Sequence, residues 1–236
     1  SSMTASILQY GTYLTVSDQL ELHAIDNTIL GATEELGASA GTTQDKLVRD
    51  TLAAGQTVQY CDKVSTAGAH TAVDTRAGMD TTSKLTPTEV NKAVTTLKKL
   101  KAPTINGKYV AIIHPSVSYD LRENKEWIEA HKYAAVTPLF TGEIGELHGV
   151  RFIETTEAKI WNNNTCPVKS AAGSGGTPAA TYYSVYSTLF LGKDAFGMID
   201  PEGGGLEMIV KSKERAGGPL NQFSTLGYKF STATKI

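Results

Sequence analysis

The residues able to do chemistry are five histidines, two cysteines and a scatter of carboxylates. His23, His70, His114, His131 and His148 show no H-x-x-x-H spacing, and Cys61 and Cys166 belong to no C-x-x-C pair. Zinc centres usually draw ligands from such short spacings, so no metal site is expected. His114 is the best placed to act as a general base, with Asp120 six residues on. A hydrolase using His114 and a nearby carboxylate is therefore a distant alternative, and a helix-cap or strand-end hydrogen bond accounts for the same residue more simply. Glu143, Glu146, Glu154 and Glu157 have the composition of a glycosidase acid pair. Solvated charges or ion pairs between subunits are the plainer account. Gly192-Lys193-Asp194 lacks the upstream glycine and the following Ser or Thr of a phosphate loop, and reads as a strand-end turn. Gly173-Ser174-Gly175-Gly176 has no strand and helix to frame an anion site. Lys98, Lys99 and Lys101 form a small basic cluster that reads as a solvated helix face. Trp127 and Trp161 read as local packing anchors. Asn163-Asn164-Thr165 matches a glycosylation acceptor without a setting for it. No catalytic, cofactor-binding or metal-binding residue is assigned, and no cofactor is expected.

The elements that would position these groups centre on residues 106–156. Residues 108–113 form an apolar run of buried-strand length. His114-Pro115 ends it, because proline donates no N–H to a sheet but suits the first turn of a helix. A short helix over 116–123 follows, with Val117 and Leu121 on one face. After a charged turn, residues 141–149 are glycine-punctuated and apolar at Ile144 and Leu147, and 150–155 form a second strand. Upstream, residues 6–16 read as a strand broken near Gly11. Ser17 or Asp18 can cap a helix, with Glu21 placed to complete a capping box with Asp18. From Asp26 or Asn27, Ile29, Thr33, Leu36, Ala40, Gln44, Leu47 and Thr51 recur every three or four residues, which predicts a helix over 27–53 closed by Gly55. Gly31, Gly37 and Gly41 each cost such a helix up to about 1 kcal/mol relative to alanine. Close backbone packing on a sheet is the expected compensation.

Residues 57–60 read as a short strand within a surface loop over 56–83. Thr86-Pro87-Thr88-Glu89 is a helix start, with Val90, Ala93, Val94, Leu97 and Leu100 as its apolar face. Residues 162–180 read as a mobile insertion, and 182–191 as one long strand. Residues 195–199 and 206–211 flank a glycine turn at 202–205, and 223–232 form a final strand.

Four stretches stand out: residues 10–30 (YGTYLTVSDQLELHAIDNTIL), 91–122 (NKAVTTLKKLKAPTINGKYVAIIHPSVSYDLR), 142–160 (GEIGELHGVRFIETTEAKI), and EGGGLEMIVK with GGPLNQFSTLGYK near the end. Taken together they resemble the coat proteins of tailed bacteriophages with the Hong Kong 97 phage fold, and their wording is similar to the coliphage N-four-type major capsid family. The resemblance implies an α+β fold with a long spine helix over about 27–53, a peripheral-domain sheet, and an axial domain of mixed sheet plus helices. Residues 1–16 would be the return strand of an extended loop. Residues 17–84 and 201–236 would form the peripheral domain, and 85–200 the axial domain with its insertion at 162–180. The family's N-terminal arm and outgoing loop strand would precede Ser1, and its last strand would run past Ile236, as in a trimmed or processed chain.

The implied function is a non-enzymatic major capsid protein of a phage or prophage head, with an encapsulin-like nanocompartment shell as the alternative. The implied partners are copies of the chain in hexamers and pentamers, scaffold, portal or decoration proteins, and packaged DNA through non-specific contacts at most, with no membrane. The implied location is the virion, and the bacterial cytoplasm before assembly.

Composition agrees with a shell subunit. The 236 residues suffice for one large or two modest domains. A net charge of −2 gives no basic footprint for wrapping nucleic acid. No apolar run approaches the ~20 residues that span a bilayer, and no secretory leader pattern opens the chain. Cys61 and Cys166 are expected as free thiols of a reducing compartment.

Overall fold

The computed structural model describes residues 4–23, 27–65, 68–128, 143–170, 181–201, 203–216 and 220–236. The elements run β1 (Leu8–Ser17), α1 (Asp18–His23), α2 (Thr28–Ala53), β2 (Lys63–Val64), β3 (His70–Thr71), α3 (Pro87–Lys99), β4 (Tyr109–Ile113), α4 (Pro115–Arg122), β5 (Glu143–Leu147) and β6 (Val150–Glu154). They continue with β7 (Ile160–Trp161), β8 (Val168–Ser170), β9 (Thr181–Tyr182), β10 (Val185–Tyr186), β11 (Leu189–Leu191), β12 (Gly197–Ile199), β13 (Glu207–Lys211) and β14 (Phe223–Lys235). Two compact units emerge, one of Ser1–Thr51 with Phe196–Ile236 and one of Leu52–Ala195. Residues 52–84 thus fall in the second unit, whereas the resemblance groups them with the peripheral domain.

The first unit is built on β14, where Ser224, Leu226, Tyr228, Phe230 and Thr232 are buried at a period of two. β1 runs antiparallel along one side of β14 from Leu8 opposite Thr232 to Ser17 opposite Phe223. β13 and then β12 pair along the other side. α2 lays Leu36, Ala40 and Leu47 on the face that carries Leu226, Tyr228 and Phe230. Asn27 Oδ1 caps α2 by accepting the Leu30 N–H at 3.3 Å.

Three expectations change in this unit. β1 is continuous through Gly11, because glycine there lets the neighbouring backbone close in: a Cβ would stand 2.6 Å from Tyr228 O. The α2 glycines have a different explanation, since a Cβ at Gly31, Gly37 or Gly41 meets nothing within 4 Å. No close approach requires them, and the burial of Leu36, Ala40 and Leu47 offsets their cost. Glu21 forms no capping box; its carboxylate accepts from Lys213 Nζ at 2.7 Å and from Ser224 Oγ at 3.2 Å, and these bonds lower its pKa.

The second unit centres on a four-stranded sheet ordered β11-β4-β6-β5. β4 and β6 are parallel, and β11 and β5 are antiparallel to their neighbours. Tyr109, Ala111 and Ile113 of β4 share a core with Val150 and Phe152 of β6, Val90 and Val94 of α3, and Val117 and Leu121 of α4. Trp127 meets Phe152 edge-on at 5.5 Å between ring centroids, as a packing anchor should. Matching turns precede the two strands, Asn106-Gly107 one residue ahead of β4 and His148-Gly149 directly ahead of β6, all four residues with positive φ. That geometry makes β5 and β6 a tight hairpin, where the sequence suggested only a glycine-punctuated segment.

Residues 182–191 do not form one strand. They divide into β9, β10 and β11, which pair with β8, β7 and β4 in three different sheets. Residues 57–60 form no strand, and the nearest hairpin is β2 with β3. Of the segment expected as a mobile insertion, residues 162–170 are held by local structure: Asn163 Oδ1 accepts from Thr165 N–H at 3.0 Å, Cys166 is buried, and β8 follows. Residues 171–180, with the glycines at 173, 175 and 176, lie outside the described residues, as does His131.

Candidate functional site

His114 sits between β4 and α4 as the N-cap of α4, its Nδ1 accepting the Ser116 N–H at 3.1 Å. Its ring packs on Tyr186 at 4.6 Å. Asp120, the carboxylate nearest in sequence, is bonded to Lys84 Nζ at 2.7 Å. That bond raises the Lys84 pKa. The sequence-adjacent pair of His114 and Asp120 is therefore divided between a helix cap and an ion pair.

The glutamates are dispersed in the same way. Glu146 pairs with Lys108, and Glu154 lies 3.6 Å from Arg122. The Gly192 turn has a steric reason: a Cβ there would stand 2.6 Å from Pro103 O, and the next N–H, of Lys193, donates to that same carbonyl at 2.9 Å. A shallow groove of about 330 Å³ in the first unit, lined by Gly41, Gln44, Asp45, Val48, Phe196 and Met198, contains a single carboxylate and no base or nucleophile to complement it.

Two clusters in the second unit escaped the sequence reading. The guanidinium of Arg76 lies 3.9 Å over the Trp161 ring and donates to Thr165 Oγ1 at 3.0 Å. The other cluster gathers Gln59, Asp62, His70, Glu89 and Lys92. Thr86 caps α3, accepting the Glu89 N–H at 3.5 Å. The Glu89 carboxylate is almost wholly buried, where it accepts from Gln59 Nε2 and Lys92 Nζ, each at 2.9 Å. Lys92 also bonds Asp62, and His70 Nδ1 lies 3.9 Å from Asp62 Oδ2. The two carboxylates raise the Lys92 pKa. Burial pushes the neighbouring Cys61 thiol up to about 12, with the Glu89 and Asp62 charges adding to it. Cys61 and Cys166 are both free thiols. A spacing of 62, 70 and 89 matches no ligand motif, so only the fold reveals this cluster.

The first unit instead exposes apolar side chains on both faces of its sheet. Tyr13 and Val210 on the sheet and Leu22 on α1 are 72%, 63% and 80% exposed. Leu206, Leu220 and Phe223 extend the same character. Scattered apolar side chains are ordinary on a protein surface. This many on one β-rich unit suits contact with another protein surface.

The family model for phage capsid proteins matches residues 15–216, most of the chain and parts of both units. The chain belongs to the phage capsid protein family. No curated protein matches the sequence. Among solved structures, the capsid of Ralstonia phage GP4 is similar with a TM-score of 0.67 at 14% identity, covering 98% of this chain and 69% of that one. The capsid of Helicobacter pylori bacteriophage KHP30 is similar with a TM-score of 0.64 at 12% identity, covering 98% and 68%. An encapsulin from Synechococcus elongatus is similar with a TM-score of 0.55 at 11% identity, covering 98% and 70%. The fold of this phage capsid family member is the Hong Kong 97-like coat fold in its α+β form. Its function is that of a structural major capsid protein, and its place is the virion capsid. The encapsulin alternative has the weaker structural likeness and no support from the family model.

Proposed function

We propose that the chain is a non-enzymatic subunit of an icosahedral head around double-stranded phage DNA, assembling as hexamers and pentamers. The carrying observation is the phage capsid family match over residues 15–216. The exposed apolar side chains of the first unit supply surface for contacts between copies. Interfaces of ~1,200–2,000 Å² each, repeated around a closed shell, sum to a stable particle.

In this reading the unit of Ser1–Thr51 and Phe196–Ile236 is the peripheral domain, with α2 as its spine helix. The unit of Leu52–Ala195 is the axial domain, meeting its copies around five- and six-fold axes. Scaffold, portal and decoration proteins are further partners, packaged DNA is touched non-specifically, and the unassembled subunit resides in the host cytoplasm. Electron microscopy and mass photometry over a concentration and salt series test the proposal. Rings or shells of defined mass support it, and monomers that persist under every condition overturn it.

A further inference from the structure

We propose that Asp62, His70 and Glu89 form a binding site for a divalent first-row metal ion such as Zn2+ or Mn2+, with Lys92 as the internal cation that the metal displaces. One carboxylate oxygen each from Asp62 and Glu89 and one ring nitrogen of His70 lie within 4.8 Å of one another. Donors that share an ion at ~2.0–2.2 Å stand about 3–4 Å apart, so the three must close by roughly an ångström. His70 Nδ1 and Asp62 Oδ2 are already 3.9 Å apart.

Charge gives an independent reason. The Asp62 and Glu89 side chains are 13% and 3% exposed, yet among the described residues a single ammonium serves both carboxylates. With His70 as a neutral ligand, the pair keeps one uncompensated negative charge in a poorly solvated place, a costly arrangement. A divalent ion would neutralise both. Lys92 is 45% exposed and sits on a flexible four-carbon stem, so its ammonium can swing into water as the metal enters.

The surroundings suit ligation. Gln59 Nε2 donates to Glu89 Oε2 at 2.9 Å and to Glu89 O at 3.1 Å, which fixes the carboxylate. Such outer hydrogen bonds commonly orient metal ligands. An imidazole with two carboxylates favours zinc or manganese over magnesium, which prefers oxygen donors and retains its waters. Asp62 precedes β2, His70 opens β3 and Glu89 lies in the first turn of α3. A bound ion would tie the β2–β3 hairpin to that helix. This inference is independent of the shell-forming role.

Calorimetric titration of the full chain with Zn2+, Mn2+ and Mg2+, paired with thermal unfolding, tests it. One saturable site for Zn2+ or Mn2+ is expected, and a hundredfold excess over Kd should raise the Tm by roughly 5–10 °C. H70A and D62N should abolish both effects. K92M should bind the ion about three- to tenfold more tightly, because the competing cation is gone; it also guards against variants that simply misfold. Zinc uptake that survives H70A and D62N belongs to other groups and overturns the proposal. So does the absence of saturable binding by the native chain, or an affinity unmoved in K92M.

Discussion

His114 Nδ1 accepts the backbone N–H of Ser116 at 3.1 Å, and the bond occupies the lone pair that a general base would present. Pro115 fills the first helical position, where its missing N–H costs nothing, so the cap and the proline together fix the start of α4. The residue with the best credentials for catalysis is thus committed to local structure. His114→Ala should lower unfolding free energy by about 0.5–2 kcal/mol, the usual cost of a lost cap. His114→Asn should restore most of it, since asparagine is a strong capping residue. Urea unfolding monitored by circular dichroism measures both. A hydrolytic activity that His114→Ala removed without loss of stability would contradict this assignment.

Gly11 and Gly192 share one physical reason, since each would place a Cβ 2.6 Å from a backbone oxygen, Tyr228 O and Pro103 O respectively. Tyr228 O belongs to the paired strand β14 and Pro103 O is held by the Lys193 N–H, so neither can swing aside as a flexible side chain can. Gly11→Ala and Gly192→Ala should each destabilise their unit by about 1–3 kcal/mol, the range for overpacking. Gly37→Ala on α2 meets nothing within 4 Å and should stabilise by up to about 1 kcal/mol. Opposite signs in denaturant midpoints among the three variants are the readout.

The Cys61 thiol, held up to about 12 against an ordinary 9.0, links stability to alkaline pH. Below pH 9 the thiol is protonated in both folded and unfolded chains, and its contribution to stability is fully present. Between pH 9 and 12 only the unfolded chain loses the proton, so the folded state is disfavoured by up to about 1.4 kcal/mol per pH unit. Cys61→Ser should flatten that part of the profile relative to the native chain. Matching urea midpoints from pH 8 to 11 in the two proteins would refute the linkage.

The sequence carried the regular elements well wherever period and punctuation agreed. The helix expected over 27–53 is α2 at Thr28–Ala53, because an asparagine cap, a three-to-four-residue apolar recurrence and Gly55 all point the same way. The helix after His114-Pro115 and the strand ahead of it follow from proline's fixed geometry. What escaped depends on contacts distant in sequence. Residues 182–191 are uniformly strand-like, yet their partners near 168, 160 and 112 divide them among three sheets. Glu89 matched a capping box by position, but Gln59 and Lys92 hold its carboxylate elsewhere. The Arg76–Trp161 pair and the Asp62–His70–Glu89 cluster lie at separations that no local pattern encodes.

Arg76 over Trp161 joins the 3-10 turn at Arg76–Gly78 to β7, and its geometry needs a planar cation. Arg76→Lys keeps the charge but loses both the stacked plane and the directed bond to Thr165. The expected cost is about 0.5–1 kcal/mol, with a change in Trp161 fluorescence. A Trp127→Phe background isolates that emission, since the chain has two tryptophans. An unchanged spectrum in Arg76→Lys would mean the stacking is dispensable.

A substitution at Val210 tests folding and assembly separately. It stands on β13 opposite Leu226 of β14, but is 63% exposed where Leu226 is buried. An acidic side chain at so exposed a place should leave subunit stability within about 0.5 kcal/mol. A copy docking on the same surface would have to bury that carboxylate unpaired, which costs more than about 1.4 kcal/mol per contact and so weakens each at least tenfold. Because a closed shell repeats its contacts many times, Val210→Asp should abolish particles while the monomer unfolds at its usual denaturant concentration. Particle counts by mass photometry beside urea midpoints read the two effects separately. Shells that form as readily with Val210→Asp would place the contacts between copies on another face of the subunit.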